Sequence, residues 1–241
     1  MIKRINNLPN NFPRTVAAAR IKALFNAYSP TVGIDLFCQT VNSEVTAVFG
    51  GMDGSFSLCV FGQTDFLEIK SYFEFLGALC FCDCEVAEKL KSRQTEMFDL
   101  YQLDNEPMVS GLPYCNAHEP ISSIYDVLQM GVDGDITLPP FEFWYTDFCA
   151  RFNHNSAEFA VMRNATAVCG FMTEEISLIT GVAVAKTDRN KGLGQAVLGT
   201  LIHNIWVKYP RSQIFALTVT AGKFYEHLNF KHEGKVALCR F

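Results

Sequence analysis

The chain has 241 residues, of which 49% are hydrophobic and 19% charged, and its formal net charge is −5. The acidic balance argues against a general nucleic-acid binder, and no apolar run approaches the ~20 residues that cross a membrane. The nine cysteines follow no disulfide spacing and most lie in apolar runs, so we expect reduced thiols and a cytoplasmic location.

The first part of the chain alternates predicted helices and strands. Helices are predicted at 15–28, 65–75 and 84–91, and strands at 34–41, 44–49, 57–61, 78–83 and 96–103. A segment rich in proline, glycine and asparagine follows at 104–120 and predicts a boundary. We therefore expect an N-terminal α/β domain at 1–105 and a second domain at 106–241.

The second part begins with two predicted helices, 122–130 and 140–152. Three strands follow at 157–162, 166–172 and 176–184, then a helix at 192–208, a strand at 212–219, a short helix at 221–228 and a last strand at 230–239. The most informative connection runs from the third strand to the long helix. It carries Arg189, Lys191, Gly192 and Gly194, and a helix that opens on such a loop offers free amides and positive charge to a phosphate.

Two motifs give the second part a family resemblance. Arg-x-x-Gly-x-Gly at 189–194 resembles the acetyl-CoA pyrophosphate loop of the GCN5-related N-acetyltransferases, the GNAT family. Phe224–Phe230 resembles the family's Leu-Tyr-x-x-x-Gly-Phe segment, with Asn229 in place of glycine. The resemblance covers the C-terminal half. It implies a mixed, largely antiparallel α/β sheet flanked by helices, and the first part is then a candidate diverged copy of the same fold.

The resemblance also implies which residues bind the donor, acetyl-CoA. The strand before the loop lies beside the pantetheine in the family, and the loop amides hold the phosphates. The matching positions here are Val182, Ala183, Val184, Arg189, Asn190, Lys191, Gly192, Leu193, Gly194, Gln195 and Ala196. An ordinary strand–loop–helix connection, in which the glycines only relieve crowding, is the alternative. We exclude the dinucleotide fingerprint because Val197 stands where its third glycine belongs.

Tyr225 is the residue that matches the family's catalytic tyrosine, which protonates the departing thiolate. Plain packing of an amphipathic helix is the alternative for it. The resemblance implies that a backbone N–H of Val182–Val184 faces the thioester carbonyl. No acid lies in Ser177–Val184, and a water relay from Glu174 or Glu175 is open as a source of the base.

The expected activity is transfer of the acetyl group of acetyl-CoA to a primary amine, of a small molecule or a peptide, by direct attack in a ternary complex. The alternative is an acyl-CoA-binding regulatory module without transfer. The net charge favours a cationic acceptor. Trp144, Tyr145 and Phe148 line either an acceptor pocket or a core. We expect no metal, no nucleic-acid or membrane partner, and the sequence allows a homodimer.

Overall fold

The computed structural model describes residues 1–28, 33–104, 120–131 and 138–241. Seven α-helices are present in these ranges: α1 Val16–Tyr28, α2 Phe66–Leu76, α3 Cys84–Leu90, α4 Ile121–Gly131, α5 Phe141–Asn153, α6 Leu193–Lys208 and α7 Gly222–Glu226. The strands are β1 Ile2–Arg4, β2 Asp35–Val41, β3 Glu44–Met52, β4 Ser55–Val60, β5 Leu79–Asp83, β6 Gln94–Leu103, β7 Glu158–Met162, β8 Ala165–Met172, β9 Ile176–Val184, β10 Gln213–Thr218 and β11 Phe230–Arg240.

All eleven strands belong to one sheet, in the order β1-β2-β3-β4-β5-β11-β6-β10-β9-β8-β7. The sheet is mainly antiparallel, and its two parallel pairs are β4 with β5 and β9 with β10. The predicted mixed, largely antiparallel sheet with flanking helices is thereby confirmed. None of the helices in the described ranges is long and apolar enough to cross a membrane.

The sheet order exchanges the last strand of each part. β6 follows β5 in the first part of the chain, yet it pairs with β10, and β11 pairs with β5. β6 and β11 also pair with each other at the centre of the sheet, from Phe230↔Leu103 to Arg240↔Gln94. The sequence predicted these strands but not their partners. The predicted boundary at 105/106 lies outside the described residues, and the division into two domains stays a prediction.

The order of elements repeats along the chain. Three antiparallel strands, a helix, a parallel strand, a short helix and a last strand occur as β2-β3-β4-α2-β5-α3-β6 and again as β7-β8-β9-α6-β10-α7-β11. This repeat supports the view that the first part is a related copy of the second.

The helices lie on two faces of the sheet. Tyr101 and Leu103 of β6 pack in one apolar cluster with α6 and α7, and Cys80 and Cys82 of β5 pack with α2 and α3 on the same face. Side chains alternate along a strand, so the neighbours Phe98 and Leu100 point to the opposite face, where α1, α4 and α5 lie. The sheet therefore has an α2/α3/α6/α7 face and an α1/α4/α5 face.

Candidate functional site

The connection from β9 to α6 contains a short 3₁₀ turn, Lys186–Asp188, and then a loop of positive backbone angles. Asn190 has a φ of 62° and Gly192 a φ of 77°, both in the left-handed region. Asparagine and glycine are the residues that tolerate this region best. The chain therefore turns sharply between the strand and the helix, as the sequence predicted.

The N-terminus of α6 carries backbone donors that the helix itself does not use. The first intrahelical bond runs from Ala196 N to Gly192 O at 3.0 Å, so the amides of Leu193, Gly194 and Gln195 precede it. No side chain of the described residues caps this end, and the first turn contains no acidic residue. These donors and the helix dipole together make a site that favours an anion.

Crowding does not explain the two loop glycines. A Cβ atom on Gly192 would have no heavy atom within 4 Å, so this glycine serves the left-handed backbone and not packing. A Cβ atom on Gly194 would lie 3.4 Å from Val184 and 3.5 Å from Phe224, which is ordinary contact. The fold could therefore accept alanine at 194, and glycine there leaves space between β9 and α7.

The basic side chains of the loop bind the protein itself. Arg189 donates from Nη2 to the Gly131 carbonyl at 2.9 Å and from Nε to the Val184 carbonyl at 3.3 Å. Lys191 Nζ lies 2.8 Å from Asp188 Oδ1, and Asn164 donates to the other carboxylate oxygen at 2.7 Å. The bonds from Lys191 and Asn164 lower the pKa of the Asp188 carboxyl. These contacts hold the loop between α4 and the β7–β8 turn.

β9 and β10 separate beyond their shared segment. Their parallel pairing ends at Ile179↔Ala216, although β9 continues to Val184 and β10 to Thr218. A bulge places Thr180 between the pairs Cys169↔Ile179 and Val168↔Gly181, and a bulge bends its strand. We call the resulting gap, between 180–184 and 217–218, the β9–β10 opening. Among the described strands, none pairs with this edge of β9, which lies beside the N-terminus of α6.

The three strand residues predicted to contact the donor all lie along this opening. Val182 and Val184 are partly buried against the α6/α7 side, and Ala183 is buried against α4. The fit to α4 is close, because a Cβ atom on Gly131 would lie only 2.6 Å from Ala183 Cβ. The backbone of β9 thus packs on α4, while its unpaired edge faces β10.

Tyr225 lies in α7, which borders the same opening through Phe224. The residue is 3% exposed, and burial raises the pKa of its phenol well above the ordinary value. Among the described residues every fully enclosed side-chain nitrogen or oxygen has a hydrogen-bond partner. The Tyr225 hydroxyl has no such partner in that part of the chain, so it is not fully enclosed, although the residue as a whole is buried.

Tyr101 of β6 packs against Tyr225, which the sequence did not reveal. The two rings are stacked with centroids 6.0 Å apart, and the Tyr101 hydroxyl donates to Glu226 Oε1 at 3.2 Å. A Cβ atom on Gly222 would lie 2.4 Å from that hydroxyl, so alanine there would force the Tyr101 side chain to shift. The strand exchange therefore brings a residue of the first part against the predicted catalytic tyrosine. The end of α7 also follows the prediction, since Asn229 is left-handed with a φ of 64°.

No protein-family model matches the sequence, and no curated protein matches it. Solved structures do match the fold. An acetyltransferase of the GNAT family from Colwellia psychrerythraea is 14% identical, with a TM-score of 0.55 over 100% of this chain and 99% of that one. A GCN5-related N-acetyltransferase from Sphaerobacter thermophilus is 12% identical, with a TM-score of 0.58 over 100% and 95%.

The chain has the GNAT fold. A tandem GNAT protein from the clavulanic acid biosynthesis pathway is a further match, 10% identical, with a TM-score of 0.56 over 96% of this chain and 90% of that one. The structural likeness extends over the whole chain, whereas the two sequence motifs that suggested the fold lie only in the C-terminal half.

The two candidate relay acids lie away from the β9–β10 opening. Glu174 and Glu175 precede β9, and Glu175 is bound to Lys22 of α1 at 2.6 Å. The opening begins at Thr180, five residues along an extended strand from Glu175, or about 16 Å. The structure therefore disfavours these acids as a base. Another acid lies nearer the opening, because Asp99 of β6 pairs with Thr218 of β10. The Asp99 carboxylate is 3.1 Å from His232 Nε2 and 3.7 Å from Lys235 Nζ.

The aromatic residues of α5 differ in their burial, and the acceptor-pocket role of Tyr145 stays a prediction. Phe148 is 1% exposed and stacks on Trp144 in the core between α4, α5 and the sheet, whereas Tyr145 is 39% exposed. Phe148 and Trp144 are thus core residues. Within the described ranges, no group of three or more His, Cys, Asp or Glu side chains is arranged to hold a metal ion.

Proposed function

We propose that the protein is an N-acetyltransferase, which transfers the acetyl group of acetyl-CoA to a primary amine by direct attack in a ternary complex. The acceptor is the amine of a small molecule or a peptide. The observation that carries the proposal is the β9–β10 opening, which ends at the uncapped N-terminus of α6. A strand edge and an anion site side by side suit a ligand that carries amides at one end and a pyrophosphate at the other.

The donor is held mainly by backbone. The free edge of β9 at Val182–Val184 offers N–H and C=O groups that can pair with the pantetheine amides as an added strand does. The pyrophosphate fits the amides from Asn190 to Ala196, where the loop glycines let it approach closely. Arg189 and Lys191 contribute positive field, although both also hold the loop through the contacts described above.

The chemistry requires attack, charge stabilisation and departure of the thiolate. The neutral amine forms a bond to the thioester carbonyl carbon, and a β9 amide stabilises the oxyanion. The carbon–sulfur bond then breaks, the sulfur takes a proton from the Tyr225 hydroxyl, and the amine nitrogen loses one proton to solvent, which in turn reprotonates the tyrosinate. Burial raises the pKa of Tyr225, so the phenol is protonated before each transfer, and its proton moves only as negative charge develops on the sulfur.

The second candidate is an acyl-CoA-binding module without transfer. It is favoured by one observation, that β9 carries no acidic residue from Ser177 to Val184. An amine that arrives already neutral needs no protein base, so this observation does not exclude transfer. The two functions share the donor site and differ in turnover.

Two measurements on the purified full chain test the proposal. Acetyl-CoA at millimolar concentration should raise the melting temperature, because a ligand that binds only the folded state stabilises it. Desulfo and dephospho analogues are the controls for the thiol and the phosphates. Release of free thiol is then followed across a panel of primary amines. An unchanged melting temperature would rule out both functions, whereas a clear shift with no amine-dependent thiol release would favour the binding module.

A further inference from the structure

The sheet curls around α1 on the α1/α4/α5 face. Five steps separate β5 from β8 in the sheet order, which in a flat sheet is about 24 Å. Yet the Arg20 Cζ atom of α1 lies 4.2 Å from the ring centroid of Phe81 on β5 and 4.2 Å from that of Phe171 on β8. This face is therefore concave, with Arg20 between its two sides.

The floor of the concave face is apolar and only partly covered. Four half-buried side chains from the central strands lie next to the core around α1: Phe98, Leu100, Leu217 and Leu238. Leu217 belongs to the β9–β10 opening, so the apolar floor reaches the place where the acyl group would be presented. Small-molecule sites have this character, a mostly apolar surface with a few polar groups that fix orientation.

Arg20 is a polar group of that kind. Its Nε donates to Ser57 Oγ at 3.0 Å, and its Cζ lies over both phenylalanine rings. In the described ranges no atom accepts a hydrogen bond from its two Nη groups. Because no fully enclosed side-chain nitrogen there lacks a partner, neither Nη group is fully enclosed, and the residue as a whole is half-buried. The guanidinium thus presents its unused donor edge from a recessed position.

The charges around Arg20 do not balance. Arg151 binds Asp147 through both Nε and Nη2 and also donates to the Gly170 carbonyl. Tyr28 donates to the same Asp147 carboxylate at 2.7 Å. Asp147 is therefore satisfied by other partners, and the two arginines with one aspartate leave one positive charge. Burial, and the charge of Arg151, lower the pKa of Arg20 to about 9, so it is still charged at neutral pH.

We propose that Arg20 binds a carboxylate of the acceptor, so that the acceptors are amino acids, or other amines that carry a carboxylate beside an apolar group. A guanidinium with two free Nη groups matches the two oxygens of a carboxylate. Arg20 is also close to the opening. The Phe171 ring under its Cζ belongs to a residue that pairs with Leu178, and Leu178 lies two residues, or about 7 Å, from the start of the opening at Thr180. This inference rests on the proposed transfer and replaces the cationic acceptor that the net charge favoured.

The test compares each acceptor with its own amide. Amino acids and their primary amides, among them phenylalanine and phenylalaninamide, are assayed with acetyl-CoA against wild type, Arg20→Gln and Arg20→Lys. Arg211→Gln, at an exposed position, is the matched control. We expect wild type and R211Q to favour the acid, and R20Q to raise the KM of the acid by about 10- to 100-fold, the effect of losing hydrogen bonds to a charged group. The KM of R20K for the acid should lie between those of wild type and R20Q.

Equal kcat/KM values for acids and amides in wild type would overturn the proposal, even where R20Q does not fold. A preference for succinyl-CoA over acetyl-CoA with an uncharged amine, abolished in R20Q, would also overturn it, because the carboxylate would then belong to the acyl group.

A binding measurement separates this proposal from the proposed function. N-acetylphenylalanine, but not its amide, should raise the melting temperature of wild type and R211Q and leave that of R20Q unchanged. If this shift is present while acetyl-CoA neither binds nor reacts, the transferase proposal fails and the carboxylate site stands. If transfer occurs without any carboxylate effect on KM or melting temperature, the site at Arg20 is refuted.

Discussion

Replacing Gly194 by alanine distinguishes a glycine kept for a ligand from one kept for packing. The added methyl group would meet Val184 at 3.4 Å and Phe224 at 3.5 Å, so the free protein should tolerate it. The residue lies in the first turn of α6, where alanine is favoured over glycine by about 0.5–1 kcal/mol. We therefore expect the unliganded variant to melt at the wild-type temperature or a few degrees above it.

The ligand should respond in the opposite direction. The methyl group would stand between β9 and α7, at the edge of the opening that the pantetheine must enter. If the dissociation constant of acetyl-CoA rises about 30-fold, a concentration of ~100 times the wild-type constant gives ~2.7 kcal/mol of stabilisation to wild type and ~0.9 kcal/mol to the variant. At about 2–4 °C per kcal/mol for a chain of this length, the shifts are ~5–10 °C and ~2–4 °C.

Differential scanning fluorimetry with and without acetyl-CoA measures both effects. Gly54→Ala is the matched control, since Gly54 has a φ of 74°, lies in the β3–β4 turn and would meet no atom within 4 Å. Alanine in that left-handed position should cost about 1–2 kcal/mol and leave the acetyl-CoA shift intact. A Gly194→Ala variant that melts below wild type and keeps the full acetyl-CoA shift would refute the ligand role of this glycine.

Three further predictions concern the tyrosine, the number of sites and the strand exchange. Tyr225→Phe should keep the acetyl-CoA affinity and lower kcat about 10-fold or more, because a general acid contributes ~10²–10⁴; unchanged turnover would remove the tyrosine from the mechanism. Since burial raises its pKa, wild-type kcat should show no alkaline loss at the ordinary tyrosine pKa. Titration calorimetry should find one acetyl-CoA per chain, and a second site of similar affinity would contradict the asymmetry argued below. Residues 106–241 expressed alone should not fold, because β10 and β11 lose β6; a cooperative melt of that fragment would show that the exchange is dispensable.

The elements were predictable because their signals are local. β9 has the predicted bounds, and Asp65 caps α2 by accepting from the amides of Leu67 and Glu68, as its position before the helix indicated. The left-handed Asn229 also followed from its place after α7. β1 was missed because three residues are too few to show an alternating pattern.

Strand partners could not be predicted in the same way. β6 and β11 both alternate apolar and polar residues, and alternation fixes which face a residue takes but not which strand lies alongside. The contact of Tyr101 with Tyr225 and the position of Arg20 between Phe81 and Phe171 depend on that long-range order. The ion pair of Glu175 with Lys22 depends on the same order, because it joins residues far apart in the chain.

The repeated fold contains two helices in equivalent positions, and their N-termini differ in a way that supports the proposed phosphate site at α6 and not at α2. At α2 the Asp65 carboxylate already occupies the amides of Leu67 and Glu68. Glu68 adds a second negative charge in the first turn, where it accepts from the Ile2 amide and the Gln39 side chain. A pyrophosphate would meet two carboxylates there, and the amides of Leu67 and Glu68 are already bound.

At α6 the corresponding position is Gly192, and within the described ranges this helix end has no side-chain cap and no acid in its first turn. The two ends also differ in backbone, because Asp65 is extended with a φ of −83° and Gly192 is left-handed with a φ of 77°. The first copy thus has carboxylates at the helix end where the second has glycine, while its last strand, β6, packs Tyr101 into the core of the second. We therefore expect the full-length sheet, and not the C-terminal half, to be the functional unit.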